Sequence, residues 1–275
     1  MLCILIFFIL IVKLSFLYHH NIYLFANNKN GDFMNKFKFN SSRTDLKINQ
    51  KLLDINDIEV LYDDNHHYSL IHYNNFNKEK IKKVLKKEIQ AYLNNLNISN
   101  YYHALIIGLG NDLHTADSIG PKTLQYIKVN TQLETLGIKI YQNKISALEP
   151  GVLGKTGIET RRIIESVVDE IKPDIAIIID SFVSNDISYL NKTIEITDSG
   201  ITPGSGLFGI QKEINQKTLG IPVIVIGVTS AIEVKIKNEK NLTFYLLSTN
   251  DIDKYVSQIS KVIADAINEV IYDLN

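Results

Sequence analysis

Apolar and polar positions fall along this chain in three kinds of pattern. Residues 104–107, 175–179 and 222–228 are nearly unbroken apolar runs. A strand covered on both faces has no reason to alternate, so these runs predict interior strands of a sheet. Residues 193–197 (TIEIT) alternate and predict an edge or antiparallel strand. Residues 58–62 and 68–73 predict a pair of short strands, and 137–141 a weaker one. Helical spacing appears at 80–93, with Ile81, Val84, Leu85, Ile89 and Leu93 on one face and Lys82, Lys83, Lys86 and Lys87 on the other. It recurs at 119–128, at 158–171 and at 252–272, where Asp251 is placed as an N-cap.

From residue 102 onward strands and helices alternate. That order predicts an α/β fold with a mainly parallel sheet flanked by helices. Residues 2–12 are wholly apolar and Lys13 interrupts the run. The run is short for a membrane span and lacks the basic start and small-residue cleavage site of a secretory signal. Residues 1–33 therefore read as an apolar leader or as an extension from an upstream start, with Met34 the working first residue. Membrane anchoring by residues 1–18 is the alternative.

Composition narrows the chemistry. Apolar residues make up 45% and charged residues 21%, and the net charge is -1. No strong field points to nucleic acid or a membrane surface. Cys3 is the single cysteine. A disulfide framework, a cysteine zinc site and a cysteine nucleophile in the folded body are thereby excluded, and a reducing compartment fits. His66, His67 and His72 cluster in sequence, but no carboxylate pattern completes a metal set, so they read as exposed loop histidines.

Two motifs fall short of familiar ones. Gly108-Leu109-Gly110 opens like a dinucleotide fingerprint, but Leu113 stands where its third glycine belongs. Gly151-Val152-Leu153-Gly154-Lys155-Thr156 is too short for a phosphate-wrapping P-loop. Neither HExxH nor GxSxG occurs. What stands out instead is a pair of carboxylates, each beyond a core strand: Asp117 after 104–107 and Asp180 after 175–179. Taken singly, either one reads as a helix cap or loop tie. Brought into one crevice, they would repel, and one would hold its proton. One could then take a proton from water while the other gives one to the leaving group. Two further loops, 146–160 and 198–206, are rich in glycine and suit close approach of a substrate backbone or tight turns at the sheet rim.

Taken together, several strings resemble the germination proteases of spore-forming bacteria. They are GLGN with TADSIGP (108–121), PGVLGKTGIET (150–160), the strand into Asp180, TIEITDSGITPGSG (193–206) and TLGIPVIVIGV (218–228), with RTDL at 43–46. The resemblance covers most of the chain from about Arg43. It implies an α/β fold similar to that of the hydrogenase-maturation proteases, and an aspartic-type endopeptidase that degrades small acid-soluble spore proteins during germination. It implies a zymogen with a pro-segment over 34–45, cut between Asp45 and Leu46, and a peptidase domain over 46–275 that assembles as a homotetramer. The catalytic pair corresponds to Asp117 and Asp180. Gly110, Asn111, Gly151, Gly154, Thr156, Gly157, Glu159, Gly204, Ser205 and Gly206 are the candidates for positioning substrate. No metal, cofactor or nucleic-acid partner is expected, and the expected location is the cytoplasm of the forespore or spore core.

The chain also departs from that pattern. Ser181-Phe182-Val183-Ser184-Asn185 replaces a run of small residues ending in arginine. Thr202 stands where histidine is usual, Ala116 where proline is usual, and Ile210 and Gln211 leave only Lys212 of a basic cluster. The segment before the final helix is short. Two rivals follow: a metal-dependent processing peptidase of hydrogenase-maturation type, and a non-catalytic binding protein retaining the fold.

Overall fold

The apolar runs become the central strands of one sheet, and the alternating segments pair antiparallel beside them. The structure, a computed structural model, describes residues 51–55, 58–63, 65–98, 101–140, 142–204, 212–237 and 242–272. The leader, the pro-segment, the Asp45–Leu46 junction, Ser205 and Gly206 lie outside the described residues. In chain order the principal elements are β1 (Lys51–Ile55), β2 (Ile58–Tyr62), β3 (Tyr68–Tyr73), α1 (Lys78–Asn95), β4 (His103–Gly108) and α2 (Ile119–Leu124). They continue as β5 (Lys144–Leu148), α3 (Thr160–Ile171), β6 (Ile175–Ser184), β7 (Thr193–Thr197), β8 (Val223–Lys237), β9 (Leu242–Leu247) and α4 (Ile252–Tyr272).

The strands run in the order β1-β2-β3-β7-β8-β6-β4-β5, with β9 paired to β8. Pairing is parallel from β8 through β6 and β4 to β5. Elsewhere it is antiparallel. The sheet is thus mixed rather than mainly parallel, because the segments before residue 75 and the alternating 193–197 segment extend it on one side. β7 is antiparallel as its alternation predicts. It lies inside the sheet between β3 and β8, however, not at an edge.

Helices cover both faces. On one, α1 and α4 pack by Ile81, Val84, Ile89, Val256, Ile259 and Ile263 against Ile106, Ile177, Ile179 and Ile226. On the other, Ile164 and Val168 of α3 cover Leu105, Ile107, Ala176, Ile178 and Val225. Double coverage is why the parallel strands carry apolar residues at every position. The helix ends follow local chemistry. Asn77 Oδ1 accepts the Lys80 N–H at 3.1 Å and starts α1, and α3 stops at Lys172, in the left-handed region (φ 46°), with Pro173 next.

Three expectations shift. No strand forms among the described residues of 137–141, where Ile138 is exposed. The neighbouring strand is β5, recruited by Ile145, whose N–H is held by Asn130 Oδ1 at 2.7 Å and whose side chain is fully buried. The helix expected over 119–128 ends at Leu124, and the one expected from 158 begins at Thr160. No helix of the described residues is long and apolar enough to cross a membrane.

Candidate active site

Strand order places the site. β4 pairs with β5 on one side and β6 on the other, so the chain reverses direction across the sheet at β4. Open sheets bind ligands at that switch point, beyond the carboxyl ends of the strands. Gly108, the last residue of β4, is level with Ile179, so Asp180 is the first β6 residue beyond it. The loop leaving β4 crosses the same place, where Leu109 N–H donates to Ile179 O at 2.8 Å. It returns through a 3-10 turn, Thr115–Asp117, just before α2.

Two glycines allow this crossing. A Cβ on Gly108 would lie 2.6 Å from Gly120 O, and one on Gly120 would lie 2.2 Å from Leu109 O and 2.7 Å from Ile179 O. The glycine of GLGN and the glycine of DSIGP therefore exist to seat α2 on the ends of β4 and β6. Gly110, at φ 118°, has the Asp117 carbonyl where its Cβ would project, 2.0 Å away. Asn111 closes the loop, its N–H donating to Asp117 O at 2.9 Å and its Oδ1 accepting from Leu113 N–H at 3.1 Å.

Both carboxyls hold protons unusually well. Burial pushes Asp117 up to about 6, opposed by the Asn111 amide and the His114 imidazole. Asp180 is 8% exposed. Burial, and then the charge of Asp117, push it up to about 8, opposed by the Ser181 N–H that donates to its Oδ1 at 2.8 Å. The Asp117 charge acts on Asp180 only because the two groups lie in one electrostatic environment. Separation of the two values sets one carboxyl up as base and the other as acid near neutral pH.

The glycine-rich 150–160 loop is tied to its neighbours by two bonds. Lys155 Nζ donates to Asp112 Oδ1 at 2.7 Å, tying the 150–160 loop to the loop after β4. A surface pair of this kind sets geometry more than stability. Glu159 Oε1 accepts the Lys212 N–H at 3.3 Å, tying the same loop to the segment that returns from 198–204. Within the loop, Thr156 Oγ1 accepts the Ile158 N–H at 3.1 Å and donates to Val152 O at 3.2 Å. Gly151 (φ 71°) and Gly204 (φ 65°) occupy left-handed turns, as does Gly157, the last residue before Ile158. Gly154 differs from these. Its φ is ordinary and nothing lies within 4 Å of its missing Cβ, so the folded chain itself does not call for glycine there.

The histidines are not simply exposed loop residues. His72 lies on β3, and His66 sits against Tyr62 and Tyr92 with Nε2 3.1 Å from the buried Glu88 carboxylate. Of these three, His67 alone is well exposed. Among the described residues no three His, Cys, Asp or Glu side chains are grouped to hold a metal ion.

Comparison with known proteins decides the family. The model of the germination protease family matches residues 67–247. This chain belongs to the germination protease family. It is 44% identical to the germination protease of Bacillus licheniformis over 159 residues, 57% of this chain and 43% of that protein. It is 42% identical over 159 residues to that of Bacillus subtilis, with the same coverage. It is 39% identical over 172 residues to that of Priestia megaterium, 62% of this chain and 46% of that protein. The aligned region thus spans less than half the length of these relatives.

Two features of the site are not visible in the sequence. Glu195 of β7 lies in one row with Asp180, since Gly227 of β8 is level with both. Burial pushes this carboxyl up to about 7, while the Tyr68 hydroxyl donates to its Oε2 at 2.8 Å. Glu195 faces away from Ile194 and Ile196 as the alternation predicts; what the pattern does not show is that β3 lies beside β7 and brings the Tyr68 hydroxyl to it. The second is a serine on β8, taken up below.

Proposed function

We propose that this chain is an aspartic-type endopeptidase that cleaves small acid-soluble spore proteins during germination, with water as the nucleophile. The observation that carries the reading is the pair of strand-end carboxyls at the switch point, with pKa values raised to about 6 and about 8. Asp117, ionised above about 6, takes a proton from the attacking water. Asp180, protonated below about 8, donates its proton to the carbonyl oxygen; as the C–N bond breaks, Asp117 passes the proton taken from water to the leaving amine and the tetrahedral hydroxyl returns its proton to Asp180. Gly154, with open space beside it, is where an extended substrate can run close to the loop backbone.

This reading extends to the rest of the expected biology. The chain is made as a zymogen, loses the segment before Leu46, assembles as a homotetramer in the spore core, and shares its fold with the hydrogenase-maturation proteases. Family membership and relatives that are germination proteases support the spore protease assignment. Intact mass after maturation tests the cut: a mature chain beginning at Leu46 is expected, and an uncut active chain would remove the zymogen proposal.

The direct test is cleavage of a purified small acid-soluble spore protein, with and without a chelator. Equal cleavage in both is expected; activity lost in chelator and restored by a metal would favour the metal-dependent rival. A pH dependence follows from the same pair. Between about 6 and about 8 the two carboxyls hold one proton between them, so kcat/KM should be bell-shaped with its maximum near neutrality. Below the acid limb there is no base, and above the alkaline limb no acid. A profile that rises steadily from pH 5 to 9 would contradict this assignment.

A further inference from the structure

β8 does not run evenly beside β6. Phe182 is level with Thr229, but the next β6 residue, Val183, is level with Ala231. Ser230 is the residue passed over, the extra member of a β-bulge. Bulges re-aim a side chain that a regular ladder would point elsewhere, and they are common beside active sites. Here the bulge delivers the hydroxyl of Ser230, only 1% exposed, to Ala116 O at 2.5 Å.

The position of that bond matters. Ala116 C=O and Asp117 N–H belong to one peptide plane. The N–H end is held by His114 O at 2.8 Å, and the C=O end by Ser230. The next peptide is held as well, through Asn111 N–H and Asp117 O at 2.9 Å. Both planes flanking the Asp117 side chain are therefore pinned, and only the Ser230 bond reaches outside the loop's own chain. Ser230 is anchored in turn: its carbonyl, displaced from the ladder by the bulge, accepts the Ser248 hydroxyl at 2.6 Å. Ser248 leads from β9 toward α4, and α4 reaches the same region through Ser260 Oγ, which donates to Ile119 O at 3.3 Å.

We propose that Ser230 is a positioning residue for Asp117, its bulge-directed hydroxyl fixing the 3-10 turn so that the carboxyl faces Asp180 in its dry setting. This rests on the reading of Asp117 as the general base. A purely structural hydroxyl would satisfy a buried carbonyl and affect stability alone. A positioning hydroxyl also controls how dry Asp117 is, and therefore where it titrates. The groups that face Asp117 are His114 on its own loop and Asp180 on β6.

The test compares the matured protein with its Ser230→Ala, Ser230→Cys and Ser230→Thr variants, each made as the full chain and matured alike, using cleavage of a small acid-soluble spore protein across pH and carbon-detected titration of Asp117. With Ser230→Ala, kcat should fall about 10- to 100-fold with KM changed by no more than about twofold. The acid limb and the Asp117 titration should both move to lower pH as the turn loosens and water enters. Ser230→Thr, which keeps the donor, should recover most of kcat. If Ser230→Ala does not fold, Ser230→Cys, close in size with a weak donor, takes its place in the same comparison. Unchanged kcat, acid limb and Asp117 titration in the hydroxyl-free variant, beside an inactive Asp117→Asn, would overturn the role of Ser230 and leave the aspartyl reading standing. Full activity of Asp117→Asn would overturn the aspartyl reading, and the role of Ser230 with it.

Discussion

Asp180→Asn should lose peptide cleavage by roughly 10³-fold or more, while the folded protein becomes more stable at neutral pH. The loss follows from removing the proton donor of the pair. The stabilisation follows from linkage. Asp180 titrates near 8 in the folded chain, far above an ordinary carboxylate, because it is buried next to Asp117. Between about pH 4 and 8 the folded state therefore binds more protons at this position than the unfolded chain does. Stability from this group is full below the unfolded pKa and is lost as pH rises through the folded one. An asparagine is neutral at every pH and its Oδ1 can still accept the Ser181 N–H, so the penalty disappears. The gain at pH 7 should be on the order of 2 kcal/mol by chemical denaturation, shrinking toward zero near pH 4. An Asp180→Asn protein that cleaves at the wild-type rate would refute the mechanism. One that melts earlier at pH 7 would show that the carboxyl is an anchor rather than a strained proton holder.

Gly120→Ala should cost roughly 3 kcal/mol or more, enough to leave little folded protein. The added Cβ would meet Leu109 O at 2.2 Å, Leu109 N at 2.6 Å and Ile179 O at 2.7 Å. All three are backbone atoms, and two of them make the Leu109–Ile179 hydrogen bond that joins the ends of β4 and β6. No side chain can rotate away to relieve the contact. Gly154→Ala is the control, because nothing lies within 4 Å and its φ is ordinary. It should fold and melt like the wild type, and it should raise KM if the substrate passes beside that loop. Equal thermal midpoints for the two variants would show that α2 is not seated on the strand ends as described.

Gly108 and Gly120 show how much was legible in the chain. GLGN and DSIGP are conspicuous as strings, and their polar loop after an apolar run correctly suggests a turn beyond a strand. Their meaning was not legible. Gly108 and Gly120 are twelve residues apart and matter to each other only because α2 folds back onto β4. The near match to a nucleotide fingerprint reflects the same local need, a helix packed closely on a strand end, without the third glycine that would complete a phosphate site.

The sequence by itself determined the interior strands and both large helices of one face, because continuous apolar runs and 3.6-residue stripes are local consequences of being covered. It also singled out Asp180, directly beyond such a run, and Asp117, in the loop that follows another. Only the tertiary structure decided that β4 and β6 lie side by side, which puts Asp180 at the switch point and within reach of the Asp117 charge, since which strand lies beside which depends on contacts some seventy residues apart along the chain. Glu195 meets the Tyr68 hydroxyl because β7 lies inside the sheet, beside β3, rather than at its edge. Ser230 reaches Ala116 because one residue is skipped in a register that no local pattern specifies. Periodicity reports what faces a residue has; pairing and register, set by the whole core, decide what those faces touch.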